Sequence, residues 1–193
     1  RGQIINKWYP FGKLYLSRPS LALYPKGKQP PDIIVGAGEN TKPVVRFYNY
    51  QGRLLKPVWL AFDKNFRGGI NVAAGLLNDK EMAIAVTPRG GIPAVIRLFS
   101  PEGKLLAPEW LAFDKNFRGG VKVAIGDING DGEGEIVAVA SAGGGPQVRI
   151  FNRYGKLLGQ FQAFREEAKT GYEVMINDLD GDGRGEILVG KIN

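Results

Sequence analysis

The sequence predicts an all-β protein assembled from repeated four-stranded antiparallel units, the pattern of a β-propeller, and three observations carry the prediction. The chain of 193 residues holds 28 glycines and 12 prolines among many Val, Ile and Phe, with no sustained helical period. The string WLAFDKNFRGG occurs twice without change, at Trp59–Gly69 and Trp110–Gly120, and a diverged copy, FQAFREEAKTG, runs from Phe161 to Gly171, so the spacing is 51 residues each time. Between these strings each unit has four short apolar or alternating stretches separated by Gly, Pro or Asn, which is what antiparallel strands and tight turns require. A four-stranded unit repeating at about 40–50 residues is the signature of a propeller blade. Length and composition allow one domain over residues 1–193 with a substantial core.

From the N-terminus, QIINKWY (Gln3–Tyr9) and GKLYLS (Gly12–Ser17) read as the third and fourth strands of a blade. The last unit ends after its second strand, EILVGKI at Glu186–Ile192, so residues 1–18 are expected to complete the blade begun by residues 172–193. That gives four blades closed by pairing of the N- and C-terminal strands, with no open sheet edge. The competing reading is an arc of a larger propeller of roughly six to eight blades. The chain opens on Arg1 and not on Met, which suggests a piece of something longer.

Within the units, YQGR (Tyr50–Arg53), PEGK (Pro101–Lys104) and RYGK (Arg153–Lys156) are glycine turns joining third to fourth strands. GAGEN (Gly36–Asn40) and GGGP (Gly143–Pro146) are turns between second and third strands. Neither opens a helix or carries the Lys-Ser/Thr of a phosphate loop. The third unit shows the full set: VKVAIGD (Val121–Asp127), EIVAVAS (Glu135–Ser141), QVRIFN (Gln147–Asn152) and LLGQFQAF (Leu157–Phe164).

Between the first two strands of that unit lies DINGDGEGE, and its second copy is DLDGDGRGE. Asp127, Asn129, Asp131 and Glu135 put side-chain oxygens at loop positions 1, 3, 5 and 9, and Asp178, Asp180, Asp182 and Glu186 repeat them. Glu133 and Arg184, at position 7, offer main-chain carbonyls. Such oxygen-rich sets suit a hard cation, Ca2+ above all. An EF-hand needs a Glu at position 12, where Ala138 and Val189 stand, so the loops open strands. Two Asp/Gly-rich turns without metal are the simpler alternative. The matching loop GLLNDKEM (Gly75–Met82) is shorter, with Leu76 at the first ligand place. The loop YPKGKQPPD (Tyr24–Asp32) has Lys26 and Lys28 at positions 3 and 5, where lysine can replace the cation by pairing with nearby carboxylates or carbonyls, the alternative being a simply solvated loop. Two calcium ions are expected, not four.

The stretch GGVKVAIGDINGDGEGEIVAVASAGGGPQVRIF resembles the FG-GAP or VCBS-type repeat of integrin-α-like β-propellers, and the similarity runs from about Pro31 to the end. The resemblance implies Ca2+ in the loop between the first and second strands of a blade, and an extracellular or cell-surface recognition role.

Charge is segregated. The net charge is +7, yet the two loops hold eight acids against one base, Arg184, leaving a basic body suited to anionic partners or to simple solvation. With no Cys and no His, disulfides, soft-metal sites and His-based catalysis are excluded. No apolar run approaches the roughly 18 residues of a membrane span.

Trp59, Trp110 and Phe161, with Phe62, Phe113 and Phe164, recur at the repeat spacing, either as packing between sheets or as stacking platforms for sugars. Arg46, Arg97 and Arg149 hold equivalent third-strand places, either as a basic stripe or paired with carboxylates of the next blade. Asp63, Lys64, Arg67, Asp114, Lys115 and Arg118 are a repeated polar surface or an undiverged duplication. These features predict a non-catalytic, calcium-stabilised recognition or adhesion module at a cell surface, of bacterial type, binding a protein or glycan ligand. Nucleic acid is a less favoured partner. The alternatives are a lectin-like binder of glycans or wall polymers and, less favoured, a polysaccharide-active enzyme.

Overall fold

The computed structural model describes residues 6–55, 58–165 and 169–192, and among them there are strands and turns but no helix. The first sheet comprises β1 (Ser20–Lys26), β2 (Gln29–Gly36), β3 (Val44–Tyr48) and β4 (Trp59–Leu60). The second comprises β5 (Ile70–Asn78), β6 (Glu81–Pro88), β7 (Val95–Phe99) and β8 (Trp110–Leu111). The third comprises β9 (Val121–Gly126), β10 (Glu135–Ala140), β11 (Gln147–Phe151) and β12 (Leu157–Gln162), and β13 (Tyr172–Asn177) pairs with β14 (Glu186–Lys191) as a hairpin. Strand order within each sheet follows the chain, so each four-stranded sheet is an antiparallel meander.

The third sheet matches its sequence-predicted strands to within two residues at each end. The fourth strands of the first two sheets are shorter than the repeat predicts. In the second sheet Pro108, which has no N–H to give the ladder, stands two residues before β8, where the third sheet has Gly159 and a six-residue strand.

Packing is sheet on sheet. Ile34, Val45 and Phe47 of the first sheet meet Ile70, Val72, Ile84 and Val86 of the second. Ala85, Ile96 and Leu98 of the second meet Val121, Val123, Ile136 and Ala138 of the third. Val137, Val139 and Val148 of the third meet Tyr172 and the hairpin. A middle strand such as β10 is therefore covered on both faces, which explains its unbroken apolar run IVAVA and complete burial. The first strands β1, β5, β9 and β13 stand in succession, each beside the next. Side chains fasten them: Ser20 Oγ donates to Ile70 O at 2.8 Å, Asn71 Nδ2 to Val121 O at 2.7 Å, and Lys122 Nζ pairs with Glu173 Oε1 at 2.8 Å. Together these four strands line a cavity of about 910 Å³.

The N-terminal segment departs from the expectation. Gln3–Ile5 lie outside the described residues, and Gly12–Ser17, expected as a strand, forms none. Trp8 instead stands 51 residues before Trp59, and it makes the contacts of a fourth-strand tryptophan. A Cβ on Gly52 would fall 2.7 Å from the Trp8 ring, as one on Gly103 would from Trp59 and one on Gly155, at 2.5 Å, from Trp110. These three turn glycines have φ of +81°, +85° and +80°, so only glycine gives both the turn and the room for the indole. Trp8 lies beside Tyr48 as Trp59 lies beside Phe99 and Trp110 beside Phe151. Phe11 and Tyr15 pair as Phe62 pairs with Phe66. In this register Trp8 holds a fourth-strand place, so the strands expected over Gln3–Ser17 are out of step with the repeat.

Candidate metal loops and a cleft on the third sheet

In the first two sheets the turn between first and second strands is a tight hairpin. Lys26 Nζ lies 3.3 Å from Asp32 Oδ1, and Asp32, at position 9 of the repeat, is 7% exposed. A lysine ammonium thus meets the position-9 carboxylate where a cation is expected in the later loops. In the second sheet Asn78 Oδ1 accepts from the N–H groups of Lys80 and Glu81, and Leu76 projects into solvent while Leu77 enters the core.

The two acidic loops share one hydrogen-bond plan. The position-1 aspartate accepts from the N–H groups of positions 4 and 6: Asp127 from Gly130 at 2.6 Å and Gly132 at 2.8 Å, Asp178 from Gly181 at 2.7 Å and Gly183 at 3.0 Å. Position 3 accepts from position 5, through Asn129 and Asp180. Position 5 accepts from position 7: Asp131 from Glu133 N and Asp182 from Arg184 N, both at 2.8 Å. Position 9 closes the loop, Glu135 accepting from Ile128 N at 3.0 Å and Glu186 from Leu179 N at 2.8 Å.

Each loop also hangs from the sheet before it. Gly134 N donates to Leu77 O and Gly185 N to Asp127 O at 2.7 Å. A Cβ on Gly134 would meet Leu76 O at 2.0 Å, so this docking needs glycine. Arg184 lies across the first loop, its Nε 2.9 Å from where a Cβ of Gly130 would be.

Electrostatics differ along the first loop. Loss of solvent raises the carboxyl of Asp127, but N–H donors from Gly132, Gly130, Asn129 and Asp131 outweigh it and hold the group below its ordinary value. Glu135 is 4% exposed; burial pushes its carboxyl upward, against the Ile128 N–H, and the charges of Asp131 and Asp127 add to the rise.

In the second loop, carboxylate oxygens of Asp178, Asp180 and Glu186 lie within 4.8 Å of one another, a spacing one cation can bridge. In the first loop position 3 is Asn129 and not an acid, and its Nδ2 donates to Glu135 Oε1 at 3.2 Å; Asp182 stands outside the second cluster. The donor set fits a hard cation: all oxygen, with main-chain carbonyls available at Glu133 and Arg184.

Of the repeated aromatics, Trp59, Trp110, Phe62, Phe113 and Phe164 pack on the core clusters, whereas Phe161 is 43% exposed. Trp59 and Trp110 sit on turn glycines and against the core clusters. The arginines are structural in a way the sequence did not reveal. Arg46, Arg97 and Arg149 each donate from Nη1 to a carbonyl of the segment leading into their sheet, Pro10, Ala61 and Ala112, and each guanidinium lies over a ring there, Phe11, Phe62 or Phe113. They form neither a solvent stripe nor pairs with the next sheet. The charged DKNFRGG loops tie themselves: Asp63 and Asp114 cap the N–H groups of Asn65 and Asn116, and Arg67 and Arg118 bond to the carbonyls of Lys64 and Lys115. A cleft of about 230 Å³ opens beside Phe113, Phe117, Gly144, Gln147 and Arg149; no sequence motif announces it.

No family model and no curated protein matches the chain. Among solved structures, it is similar to a protein of unknown function from Bacteroides caccae, with 19% identity and a TM-score of 0.54, over 95% of this chain and 56% of that one. It is also similar to the exotype rhamnogalacturonan lyase YesX, with 14% identity and a TM-score of 0.58, over 90% of this chain and 38% of the lyase. The likeness is one of fold, and the chain spans less than two thirds of either neighbour.

Proposed function

We propose that the chain is a non-catalytic recognition module of propeller blades, of the FG-GAP or VCBS type, braced by calcium and working at a cell surface. The observation that carries this reading is the convergence of Asp178, Asp180 and Glu186 to within 4.8 Å on a loop whose main-chain hydrogen-bond plan its neighbour shares. In the proposed sites Asp127, Asn129, Asp131 and Glu135, with the carbonyl of Glu133, hold one ion, and Asp178, Asp180, Asp182 and Glu186, with the carbonyl of Arg184, hold the other. The ion supplies charge neutralisation. The protein supplies the rest: main-chain N–H groups orient the carboxylates, and Gly134 and Gly185 fasten each loop to the preceding sheet, so a stiff loop stiffens its neighbour. Melting curves in EDTA and in excess Ca2+ test the brace; equal midpoints would sink it.

In this reading the sheets form an arc of a larger propeller and do not close as four blades. Leu21 and Leu23 are 65% and 62% exposed, whereas Val72 and Val123, at the place of Leu21 in the next two sheets, are each 8% exposed beneath a neighbouring sheet. The face of β1 thus lacks the cover its repeats have. Leu21→Cys with Met175→Cys discriminates: the arc gives no intramolecular disulfide on oxidation, and quantitative cross-linking within the monomer would establish the closed ring.

A further inference from the structure

The second and third sheets derive from one repeat, yet at one place the third has been hollowed out. In both, the third-strand arginine lies over the ring before it, Arg97 with Cζ 4.6 Å from Phe62 and Arg149 with Cζ 5.4 Å from Phe113. In the second sheet the surroundings are filled. Glu109, facing Arg97 across the β7–β8 pair, accepts from its Nε at 2.5 Å, and Ile92 and Val95 pack with Phe62 and Phe66, leaving Phe62 6% exposed. In the third sheet Glu109 becomes Gln160, Ile92 becomes Gly144, Pro93 becomes Gly145 and Val95 becomes Gln147. Gln160 faces Arg149 in the ladder, but its Oε1 accepts from Gln147 Nε2 at 3.0 Å. Arg149 Nε, like Arg46 Nε of the first sheet, is buried with no acceptor, and beside Arg149 the lost side chains open the 230 Å³ cleft. An arginine N–H buried without an acceptor is costly, and a carboxylate is the strongest acceptor that can meet it.

We propose that this cleft binds a uronic-acid ring of an acidic glycan, its carboxylate engaging the Arg149 guanidinium as the carboxylate of Glu109 engages Arg97. The cleft is smaller than the roughly 300–1,000 Å³ of pockets for drug-sized ligands, which suits a single ring. Its wall combines the apolar edges of Phe113 and Phe117 with hydroxyl acceptors, the Asp114 carboxylate at the rim and the Gln147 amide oxygen. A ring with several hydroxyls and one carboxylate satisfies that set. A run of acidic side chains does not, because it brings no hydroxyl from which the Asp114 carboxylate and the Gln147 amide oxygen can accept. The site rests on the recognition-module reading but not on calcium.

Calorimetric titration of the whole chain with trigalacturonate, its methyl ester and triglutamate tests the assignment, with each protein's melting curve recorded in Ca2+ and in EDTA. Trigalacturonate is expected to saturate one site. The methyl ester and triglutamate are expected to bind about tenfold or more weakly, the loss of a charged hydrogen bond. Gln160→Glu installs the carboxylate that the second sheet carries, so the fold is kept while affinity falls by about the same factor. Gly145→Val, where a Cβ meets nothing within 4 Å, fills the cleft and removes binding, and Glu109→Gln leaves binding unchanged. No saturable binding, unaltered affinity in both Gln160→Glu and Gly145→Val, or triglutamate bound as tightly as trigalacturonate overturns the proposal. Lost binding with an intact calcium response rejects the cleft alone; binding without any calcium response rejects only the brace.

Discussion

Neutralising Asp180 should stabilise the protein without calcium and destabilise it with calcium. Oxygens of Asp178, Asp180 and Glu186 approach within 4.8 Å, at which two unit charges in water repel by about 0.9 kcal/mol. Asp180 faces two such charges, so its charge costs about 2 kcal/mol unscreened, and about 1 kcal/mol at physiological salt, where the Debye length is about 8 Å. A chain of this size shifts its Tm by about 2–4 °C per kcal/mol, so in EDTA Asp180→Asn should melt about 2–4 °C above the wild type. Calcium at a hundred times its Kd adds about 2.7 kcal/mol per site, or roughly 5–10 °C, to the wild type. The variant, lacking one anionic ligand, gains less, and the order of the two Tm values reverses. Differential scanning calorimetry of both proteins in EDTA and in excess CaCl2 reads the crossing. A shift of the same sign in both buffers, or a wild-type Tm indifferent to calcium, would show that the cluster is a solvated turn.

Three further outcomes follow from the same geometry. Glu135 has its folded-state carboxyl raised from 4.5, so the folded protein holds that proton more tightly than the unfolded chain; in EDTA its contribution to stability is present below pH 4.5 and lost as pH rises through the raised value, and Glu135→Gln should flatten that limb of a Tm-against-pH series. Gly155→Ala forces a side chain onto the Trp110 ring at a φ of +80°, and should cost about 1–2 kcal/mol for the backbone alone and more for the displaced indole, measured by urea unfolding. Lys26→Met leaves the buried Asp32 carboxylate without its cation and should cost about 1 kcal/mol, after allowance for the lysine's partial exposure, with the loss reduced in Lys26→Met/Asp32→Asn.

The repeat, the strands of the third sheet and both acidic loops were legible in the sequence because their causes are local. A position-1 aspartate bonds to N–H groups three and five residues on, and a β-strand shows itself by alternation within a handful of residues. The pairing of Lys26 with a carboxylate could be foreseen for the same reason, since Asp32 is six residues away. The place of the N-terminal segment was also written in the sequence, in the spacing from Trp8 to Trp59 and from Phe11 to Phe62. Reading Gly12–Ser17 as a strand hid it: Leu14 and Leu16, which gave the stretch its apolar character, are 92% and 96% exposed in a loop, and Tyr15 is the residue that meets the sheet, its hydroxyl accepting from Gly38 N–H.

What tertiary structure alone decided is what depends on neighbours distant in the chain. How the acidic loops are held to the sheet before them is one such matter: Gly134 N bonds to Leu77 O and Gly185 N to Asp127 O, partners far back in the chain. The arginines are another. Nothing near Arg149 in sequence says that its guanidinium lies over Phe113 and bonds to Ala112 O, 37 residues back, or that its Nε lacks an acceptor. Local order is set by backbone bonds within one turn; a site built across two sheets is set by how those sheets pack.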